Sequence, residues 1–342
     1  MSSMQNAKPR ALSLAQPSAD SMHLGNYLGA LRQWVDMQDE FEAFFGVANL
    51  HALNENPKPE VLRERSLVTA AQIIGAGIDP ERSVVFVQSQ VPEHTQLMWA
   101  LAPLTGFGRA ERMTQFKDKA ARHGADSANV GLFIYPILMA ADILLYQADK
   151  VPVGEDQRQH LELTRDLAEK FNGSYGETFV VPGPHILKSV GKIQDLQDPL
   201  IKMSKSTPSV NGRIDLLDEP KVITKRFKSA VTDSGTEIRF DEAEKPGVSN
   251  LLNIQAAITG TPIAELERDY EGKMYGHLKV GVAEAVLDVL GPIRARTMEL
   301  LDDRAELERL LDRGAEKARE VAAATLTDVY DKIGLLQPPA RG

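Results

Sequence analysis

The chain has 342 residues, of which 43% are hydrophobic, and a formal net charge of -9 with an isoelectric point near 5.4. This length allows two domains with a substantial core, and the acidic balance argues against indiscriminate nucleic-acid binding and against DNA as a partner. The absence of cysteine excludes disulfides, thiolate metal sites and a cysteine nucleophile, and it favours a reducing, cytoplasmic location.

The sequence predicts no signal peptide, no membrane span and no membrane partner. Its first residues, MSSMQNAKPRALSL, lack the apolar core of a signal peptide. The most apolar run, VGLFIYPILMAADILL (130–145), is short for a bilayer, and Pro136 and Asp142 interrupt it.

The first half of the chain alternates β-type runs with helical patterns. The runs RALSLA (10–15), AFFGVANL (43–50) and SVVFVQS (83–89) are compact and rich in β-branched or aromatic residues. After Gly25, apolar residues repeat along one helical stripe as far as Val35. This alternation predicts a Rossmann-like, doubly wound parallel sheet with helices on both faces and ligands at the carboxyl ends of its strands.

The second half has a helical pattern almost throughout. Glycines at 260, 272 and 334 stand where helices can stop, and Thr261 followed by Pro262 is typical of a helix start. The most linker-like connection is TDSGTEIRFDEAEKPG (232–247). We expect a catalytic Rossmann-like domain over residues 1–207, an all-helical domain over 208–300, and C-terminal helices over 301–342 that pack back on the catalytic domain.

The segment QPSADSMHLGNYLGAL (16–31) follows the first predicted strand and begins the first helix near Gly25. A helix N-terminus has unpaired amide groups and partial positive charge, so this turn is a natural anion site. His23 and Asn26 add side-chain donors beside it. Taken alone, the segment is equally compatible with an ordinary strand-to-helix turn and an incidental histidine.

The segment IKMSKST (201–207) contains two lysines and no carboxylate. Its chemical groups are those of Lys202, Met203, Ser204, Lys205 and Ser206. Lysines bind phosphate as flexible point charges, hydroxyls add donors, and the methionine offers a polarizable contact. Such a loop can close over a polyphosphate and stabilise the charge that grows as a phosphorus–oxygen bond breaks.

Two local clusters of basic residues interrupt the acidic background. One comprises Arg109, Arg112, Lys117, Lys119 and Arg122, and the other comprises Lys221, Lys225, Arg226 and Lys228. Charge counts alone favour solvated helix faces over binding sites in both clusters.

These segments resemble the two signatures of class I aminoacyl-tRNA synthetases. HLGN (23–26) is similar to the His-Ile-Gly-His signature in the form associated with tryptophan enzymes, and KMSKS (202–206) matches the second signature letter for letter. The blocks RMTQFKDK, YPILMAADILLYQADKVPVGEDQRQHLELTRDLAEKFN, KPGVSNLLNI and EGKMYGHLK resemble consecutive blocks of bacterial tryptophanyl-tRNA synthetases. The resemblance extends from about Leu12 to Leu336.

Asp142 is the most informative residue of the middle blocks. It lies in an almost wholly apolar helical pattern, so its carboxylate must meet a donor, and an internal ion pair or a helix cap would also satisfy it. The resemblance implies that Asp142 binds the indole N–H of tryptophan, which donates but cannot accept. It further implies Met139 against the indole ring, Tyr135 and Gln157 at the α-amino group, and His51 in the pocket.

The resemblance also implies a set of nucleotide contacts. Gln16 and Lys119 would contact the substrate carboxylate or the phosphates, Gly154 and Asp156 the ATP ribose, and Ile193 with Met203 the adenine. The helix-start residues Gly25 and Asn26 and the hydroxyls of Ser204 and Ser206 would bind ATP. The residues implied to stabilise the reacting phosphates are His23, Asn26, Lys119, Lys202 and Lys205. Without the family, Gln157 and Lys119 are more simply solvated surface residues.

One neighbourhood departs from the family pattern. The family is expected to have an Asp before a Leu-His or Gln-His pair and a longer connection after it, whereas this chain has Asn49 and the short LNENP (53–57). The missing carboxylate bears on recognition of the amino group and of tryptophan analogues. Five other histidines show no spacing typical of metal ligands, so we expect no metal site built by the protein: His94, His123, His160, His185 and His277.

The implied reaction is ATP-dependent activation of L-tryptophan to tryptophanyl-adenylate, followed by transfer to the 3′ end of tRNA(Trp). No covalent nucleophile is needed, so catalysis would rest on positioning and electrostatics, with Mg²⁺ held mainly by ATP. The resemblance implies that the 208–300 domain binds the tRNA anticodon and that the protein is a homodimer. The alternatives are a tyrosine enzyme, an inactive tRNA-binding paralogue and another class I-like nucleotidyltransferase; the tryptophan-type blocks, the intact signatures and the basic helical domain disfavour them in turn.

Overall fold

A parallel sheet forms the centre of the molecule. The computed structural model describes residues 8–113, 129–154, 157–186, 191–205 and 209–337, and within these ranges five strands form one sheet. The strands are β1 (Arg10–Ala15), β2 (Glu42–Val47), β3 (Val84–Val87), β4 (Lys150–Val153) and β5 (Gly183–Ile186). Their order is β3-β2-β1-β4-β5, and every pair is parallel. The predicted doubly wound parallel sheet is confirmed.

The helices, in chain order, are α1 (Leu24–Asn26), α2 (Arg32–Glu40), α3 (Asn49–Ala52), α4 (Pro59–Gly75), α5 (Glu93–Leu101), α6 (Phe107–Glu111), α7 (Val130–Leu145), α8 (Arg158–Tyr175), α9 (Pro220–Lys228), α10 (Pro246–Thr259), α11 (Ile263–Asp269), α12 (Tyr275–Asp302) and α13 (Arg304–Ile333). A π-helical turn over Tyr27–Leu31 joins α1 to α2. Gly260 and Gly334 end α10 and α13 with φ values of 76° and 79°, as the predicted helix stops require.

The two faces of the sheet pack against separate hydrophobic clusters. Leu12, Phe44 and Phe86 face one cluster, whereas Ala43 and Phe45 face the other. Adjacent residues of a strand point to opposite faces of the sheet. Because both faces of this sheet are buried, the strands read as unbroken apolar runs in the sequence. The sequence does not predict β5 in this way. Its residues, GPHI, include a glycine and a proline, which are both depleted in strands.

Residues 209–337 form helices that pack on the sheet domain. α12 lies against α4, α9 and α10, and α13 lies against β3, α5 and α7. The closest approach is at Gly314, where an added Cβ would lie 1.7 Å from the Val85 carbonyl oxygen. Among the described residues, no helix is long and apolar enough to cross a membrane.

Candidate active site

Two cavities lie at the carboxyl ends of β1 and β4. From β1 the chain runs to β2 and β3 on one side and later returns to β4 on the other side, so its connections diverge between these two strands. Ligands of open parallel sheets bind in the crevice at such a switch point. Ser13, Leu14 and Gln16, at the end of β1, line both cavities. A molecule in one cavity would therefore adjoin a molecule in the other.

The first cavity, of about 300 Å³, combines apolar walls with a few polar groups. The five residues implied for tryptophan binding all line it: His51, Tyr135, Met139, Asp142 and Gln157. Three of them come from α7 at positions i, i+4 and i+7, which places them on one face of the helix. This arrangement of an apolar slot with a few convergent polar groups is typical of a site for a small organic ligand.

The carboxylate of Asp142 has three close partners. It is only 2% exposed. Oδ1 accepts hydrogen bonds from Gln88 Nε2 at 2.7 Å and from His94 Nδ1 at 2.6 Å. Oδ2 lies 2.7 Å from His51 Nε2. The predicted buried carboxylate with a required donor is therefore found, with three donors instead of one.

The pKa of Asp142 reflects a contest between burial and these partners. Burial alone would raise the pKa of the carboxyl, because it disfavours the charged form. The positive potential and hydrogen bond of His51, together with those of His94, outweigh burial and hold the pKa well below its ordinary value. Asp142 is therefore an ionised, acceptor-only group at neutral pH.

Gln88 and His94 are partners of Asp142 that the sequence patterns do not indicate. His94 has no metal-ligand spacing, and the structure instead buries it fully against Asp142. Their positions in the chain could have indicated them as site residues. Gln88 directly follows β3, and His94 lies in the helix after it, near the carboxyl edge of the sheet where ligand sites form.

Tyr135 has its own buried partner. Its hydroxyl lies 2.7 Å from His160 Nε2, and its ring lies edge-on to that of His51. Burial raises the pKa of the Tyr135 phenol, so the hydroxyl stays protonated at neutral pH. The lining of the first cavity thus includes a phenol from α7 and an imidazole from α3.

The second cavity, of about 500 Å³, lies between the 16–31 segment and the 202–205 loop. The following residues implied for ATP binding or catalysis line it: Gln16, His23, Gly25, Asn26, Lys202, Met203, Ser204 and Lys205. The structure thus brings the two sequence signatures, which are separated by some 180 residues of chain, to opposite walls of one cleft.

His23 is held at the start of α1 by local contacts. Its backbone N–H donates to Asn26 Oδ1 at 3.0 Å, and a Cβ on residue 25 would lie 3.1 Å from the His23 ring, so Gly25 leaves space for the imidazole. Burial, and then the charges of Arg213, Lys202 and Lys205, lower the pKa of His23 to about 4. At neutral pH His23 is therefore an uncharged hydrogen-bonding group beside a cluster of cations.

The 202–205 loop is fixed at both ends. Met203 N–H donates to Ile193 O at 3.0 Å, and Lys202 pairs with Gln194 as an isolated antiparallel bridge. Lys205 Nζ donates to Ser18 O at 3.2 Å, across the cleft in the turn before His23. The loop therefore already spans the cavity that it lines.

Some implied nucleotide contacts are placed elsewhere or are not described. Ile193 is buried in the hydrophobic core and does not line the cleft, and Gly154 lines neither cavity. Lys119, Asp156 and Ser206 lie outside the described residues. Within the described ranges, no group of three or more His, Asp or Glu side chains could hold a metal ion.

Asn49, where the chain departs from the family pattern, lines neither cavity. Its Oδ1 accepts from Ser89 N at 3.0 Å, and its Nδ2 donates to Ser89 Oγ at 2.8 Å. The amide therefore joins the start of α3 to the residues after β3, where a carboxylate could not donate to the hydroxyl.

Comparison with known families decides the relationship. The model of the family described as class I tRNA synthetases for tryptophan and tyrosine (W and Y) matches residues 4–291. The chain belongs to this family. Among curated relatives, tryptophan–tRNA ligase 2 of Streptomyces avermitilis is 59% identical over 333 residues, which cover 97% of this chain and 99% of the relative.

Solved structures of family members show the same fold. The tryptophanyl-tRNA synthetase of Mycoplasma pneumoniae is 36% identical with a TM-score of 0.85, covering 96% of this chain and 98% of that one. The enzyme of Campylobacter jejuni, solved with ADP and tryptophan, is 39% identical with a TM-score of 0.83, covering 95% of this chain and all of that one. The class I family predicted from the two signatures is confirmed.

Proposed function

We propose that this protein is an ATP-dependent tryptophan–tRNA ligase. The tryptophan carboxylate attacks the α-phosphorus of Mg²⁺–ATP, the bond to the β-phosphate oxygen breaks, and tryptophanyl-adenylate and pyrophosphate form. A ribose hydroxyl at the 3′ end of tRNA(Trp) then attacks the carbonyl carbon of the adenylate, the acyl–phosphate bond breaks, and AMP leaves. The observation that carries this proposal is the pair of adjoining cavities, one with a buried carboxylate and one with the signature cations, which share Gln16.

In the first cavity, Asp142 Oδ2 would accept the indole N–H while Met139 packs against the ring. Oδ2 is the oxygen on the cavity side, because its partner His51 lines the cavity and the partners of Oδ1 do not. Tyr135 and Gln157 would bind the α-amino group. This orientation directs the substrate carboxylate toward Gln16 and the second cavity.

In the second cavity, Lys202 and Lys205 would stabilise the negative charge that develops on the leaving pyrophosphate. Preformed charges in a partly enclosed cleft act strongly on such a transition state. His23, uncharged at neutral pH, would act with Asn26 as a hydrogen-bond donor to phosphate oxygens. Gly25, Ser204 and Ser206 would complete the cradle, and Mg²⁺ would enter with ATP as part of the substrate.

The remaining nucleotide contacts stay proposals based on the family resemblance. Gly154 and Asp156 would bind the ribose, Lys119 the phosphates, and Met203 with Ile193 the adenine. Because Met203 is 1% exposed and Ile193 is 5% exposed, an adenine contact with both requires the loop to open or shift.

We also propose that residues 208–300 bind the tRNA anticodon and that residues 301–342 complete the catalytic domain. α9 presents exposed Lys221, Lys225 and Lys228, whereas Arg226 pairs inward with Asp218. The proposed substrates, ATP and tRNA, place the activity in the cytoplasm.

Exposed apolar side chains support a homodimer as the working state. Trp99 on α5, Phe107 on α6 and Val130 at the start of α7 are more than 70% exposed. Single exposed apolar residues are ordinary, but three large ones on helices that pack against each other are typical of an interface.

Tryptophan-dependent exchange of labelled pyrophosphate into ATP tests the proposed function. We expect exchange with tryptophan, none with tyrosine or without an amino acid, and a loss of at least about 100-fold in Asp142→Ala, since the variant leaves buried donors unpaired as well as removing the acceptor. Exchange with tyrosine alone, or no exchange with tryptophan in the wild type, would overturn the proposal.

A further inference from the structure

Three buried residues behind Asp142 have no role in the function proposed above. Gln88, His94 and Tyr146 are 0% exposed, and none of them lines the cavity. Gln88 and His94 both donate to Asp142 Oδ1, and His94 Nε2 lies 2.8 Å from the Tyr146 hydroxyl. A large buried polar network of this kind is costly unless its members satisfy one another.

The network divides the two oxygens of Asp142 between different tasks. A carboxylate oxygen has two lone-pair positions. Both positions of Oδ1 are occupied, by Gln88 and His94, at 2.7 and 2.6 Å. Among the described residues Oδ2 has one protein donor, His51, which leaves one position toward the cavity. An incoming N–H therefore meets a single acceptor in a fixed direction.

The donors to Oδ1 are themselves fixed in orientation. Gln88 Oε1 accepts the backbone N–H of Leu50 at 3.0 Å, so the amide must turn its Nε2 toward Asp142. Burial, followed by the charges of Asp142 and Glu93, raises the pKa of Tyr146, so its phenol keeps a proton to donate. With the Tyr146 hydroxyl directed at Nε2, the Nδ1–H of His94 faces Asp142 and donates to Oδ1.

We propose that Gln88 and His94 are positioning residues that make recognition of the substrate's ring N–H selective. They hold the Asp142 carboxylate rotated so that Oδ2 presents its open lone pair to the cavity. Tyr146 fixes the tautomer of His94. The inference rests on the proposed function, because it takes the ring N–H of tryptophan as the donor that Oδ2 accepts.

The consequence is a coupling between these residues and one hydrogen of the substrate. Where a buried polar group is built to pair with a ligand donor, an analogue without that donor leaves the group unpaired and is strongly rejected. If the carboxylate loses its alignment, tryptophan loses this advantage, and the analogue loses little because it never made the bond. A purely structural role would weaken both ligands alike.

The test compares tryptophan with β-(1-benzothiophen-3-yl)alanine, which has sulfur in place of the ring N–H. Pyrophosphate exchange gives kcat/KM for both, and calorimetry gives their Kd values, for the wild type, Gln88→Met and His94→Leu. We expect the wild-type preference for tryptophan to fall by about 10- to 100-fold in each variant. The loss should lie mainly in KM for tryptophan, with KM for ATP unchanged.

Two further variants serve as controls. His94→Asn keeps a donor near the position of Nδ1 and should recover part of the preference. Gln38→Met removes an equally buried glutamine that bonds Val35 O, Gly77 O and Asp79 N far from the cavity, and it should keep the full preference even if it lowers stability.

The outcomes separate this inference from the proposed function. An unchanged preference in Gln88→Met and His94→Leu, or an equal loss for both ligands, would overturn the inference while the wild type still exchanged pyrophosphate with tryptophan. Failure of wild-type exchange would instead overturn the proposed function. If His94→Leu does not fold, Gln88→Met decides the question alone.

Discussion

At the residue scale, Asp142 and His23 both have pKa values below their ordinary values, so neither group changes its charge near pH 7. Asp142 stays ionised because two histidines outweigh its burial. His23 stays neutral because burial and three nearby cations disfavour its charged form. The sequence identified both residues, but the direction of each shift follows from neighbours that are distant in the chain.

The pKa of His23 predicts an acid-dependent loss of stability. An unfolded histidine titrates near 6.5, whereas His23 in the fold titrates at about 4, so between these values only the unfolded chain binds the proton. The free energy of unfolding should therefore fall as the pH drops from 7 to 4.5. His23→Gln has no such titration, so the decrease in its free energy of unfolding between pH 7 and pH 4.5 should be smaller than that of the wild type by about 2 kcal/mol.

Urea unfolding of the wild type and His23→Gln, without nucleotide, at pH 7 and pH 4.5 measures this term. A difference between the two proteins that is the same at both pH values would show that the pKa of His23 is not depressed.

At the element scale, the position of α13 decides how the site is supported. α13 packs on β3, which Gln88 directly follows, and on α5, which carries His94. Arg319 of α13 lies 3.3 Å from the buried carboxylate of Glu93. The sequence predicted the helix and its end at Gly334 from amphipathic spacing and a glycine stop. The sequence did not indicate which strand the helix contacts. That contact depends on a small residue, Gly314, which fits closely only against the backbone of β3.

Gly314 is the critical contact of this packing. A methyl group there would lie 1.7 Å from Val85 O, so Gly314→Ala must push α13 away from β3. We expect a loss of about 1–3 kcal/mol of stability, the typical cost of an overpacked core, and weaker tryptophan binding because α5 shifts with α13. Chemical denaturation and calorimetric binding measure the two effects.

Gly173→Ala in α8 is the matched control, since no atom lies within 4 Å of its added methyl group and alanine favours the helix. It should be neutral or slightly stabilising. If Gly314→Ala behaved like this control, the close approach of α13 to β3 would be wrong.

At the scale of the whole molecule, the α/β first half and the helical second half of the chain share one hydrophobic core. The hydrophobic cluster that covers one face of the sheet includes Phe45 and Ile73 from the first half and Leu251 and Val286 from the second. The sheet domain and the helices after it are therefore packed around one continuous core.

The exposed lysines of α9 should dominate the salt dependence of tRNA binding. Replacing Lys221, Lys225 and Lys228 with Ala removes phosphate contacts that release about 0.7–0.9 counterions each. The negative slope of log K for tRNA binding against log salt concentration should decrease in magnitude by about 2. KM for tRNA should rise, while the rate of pyrophosphate exchange stays unchanged.

Binding measured across a salt series tests this prediction. Lys317→Ala, which removes an exposed lysine on α13, is the control and should leave the slope almost unaltered. A triple variant with the wild-type slope would place the tRNA contacts on another surface.

The sequence by itself determined the family, the sheet class, the main strands, the helix stops and the residues of both signatures. These features depend on local composition and on short motifs whose chemistry is readable within a few residues. Only the tertiary structure decided that His94 and Gln88 hold Asp142, that α13 supports β3, and that Ile193 lies in the core. Each of these depends on surfaces that meet although they lie 48 or more residues apart in the chain. In such a contact, the role of a side chain depends on the shape and charge of its partner as much as on its own type.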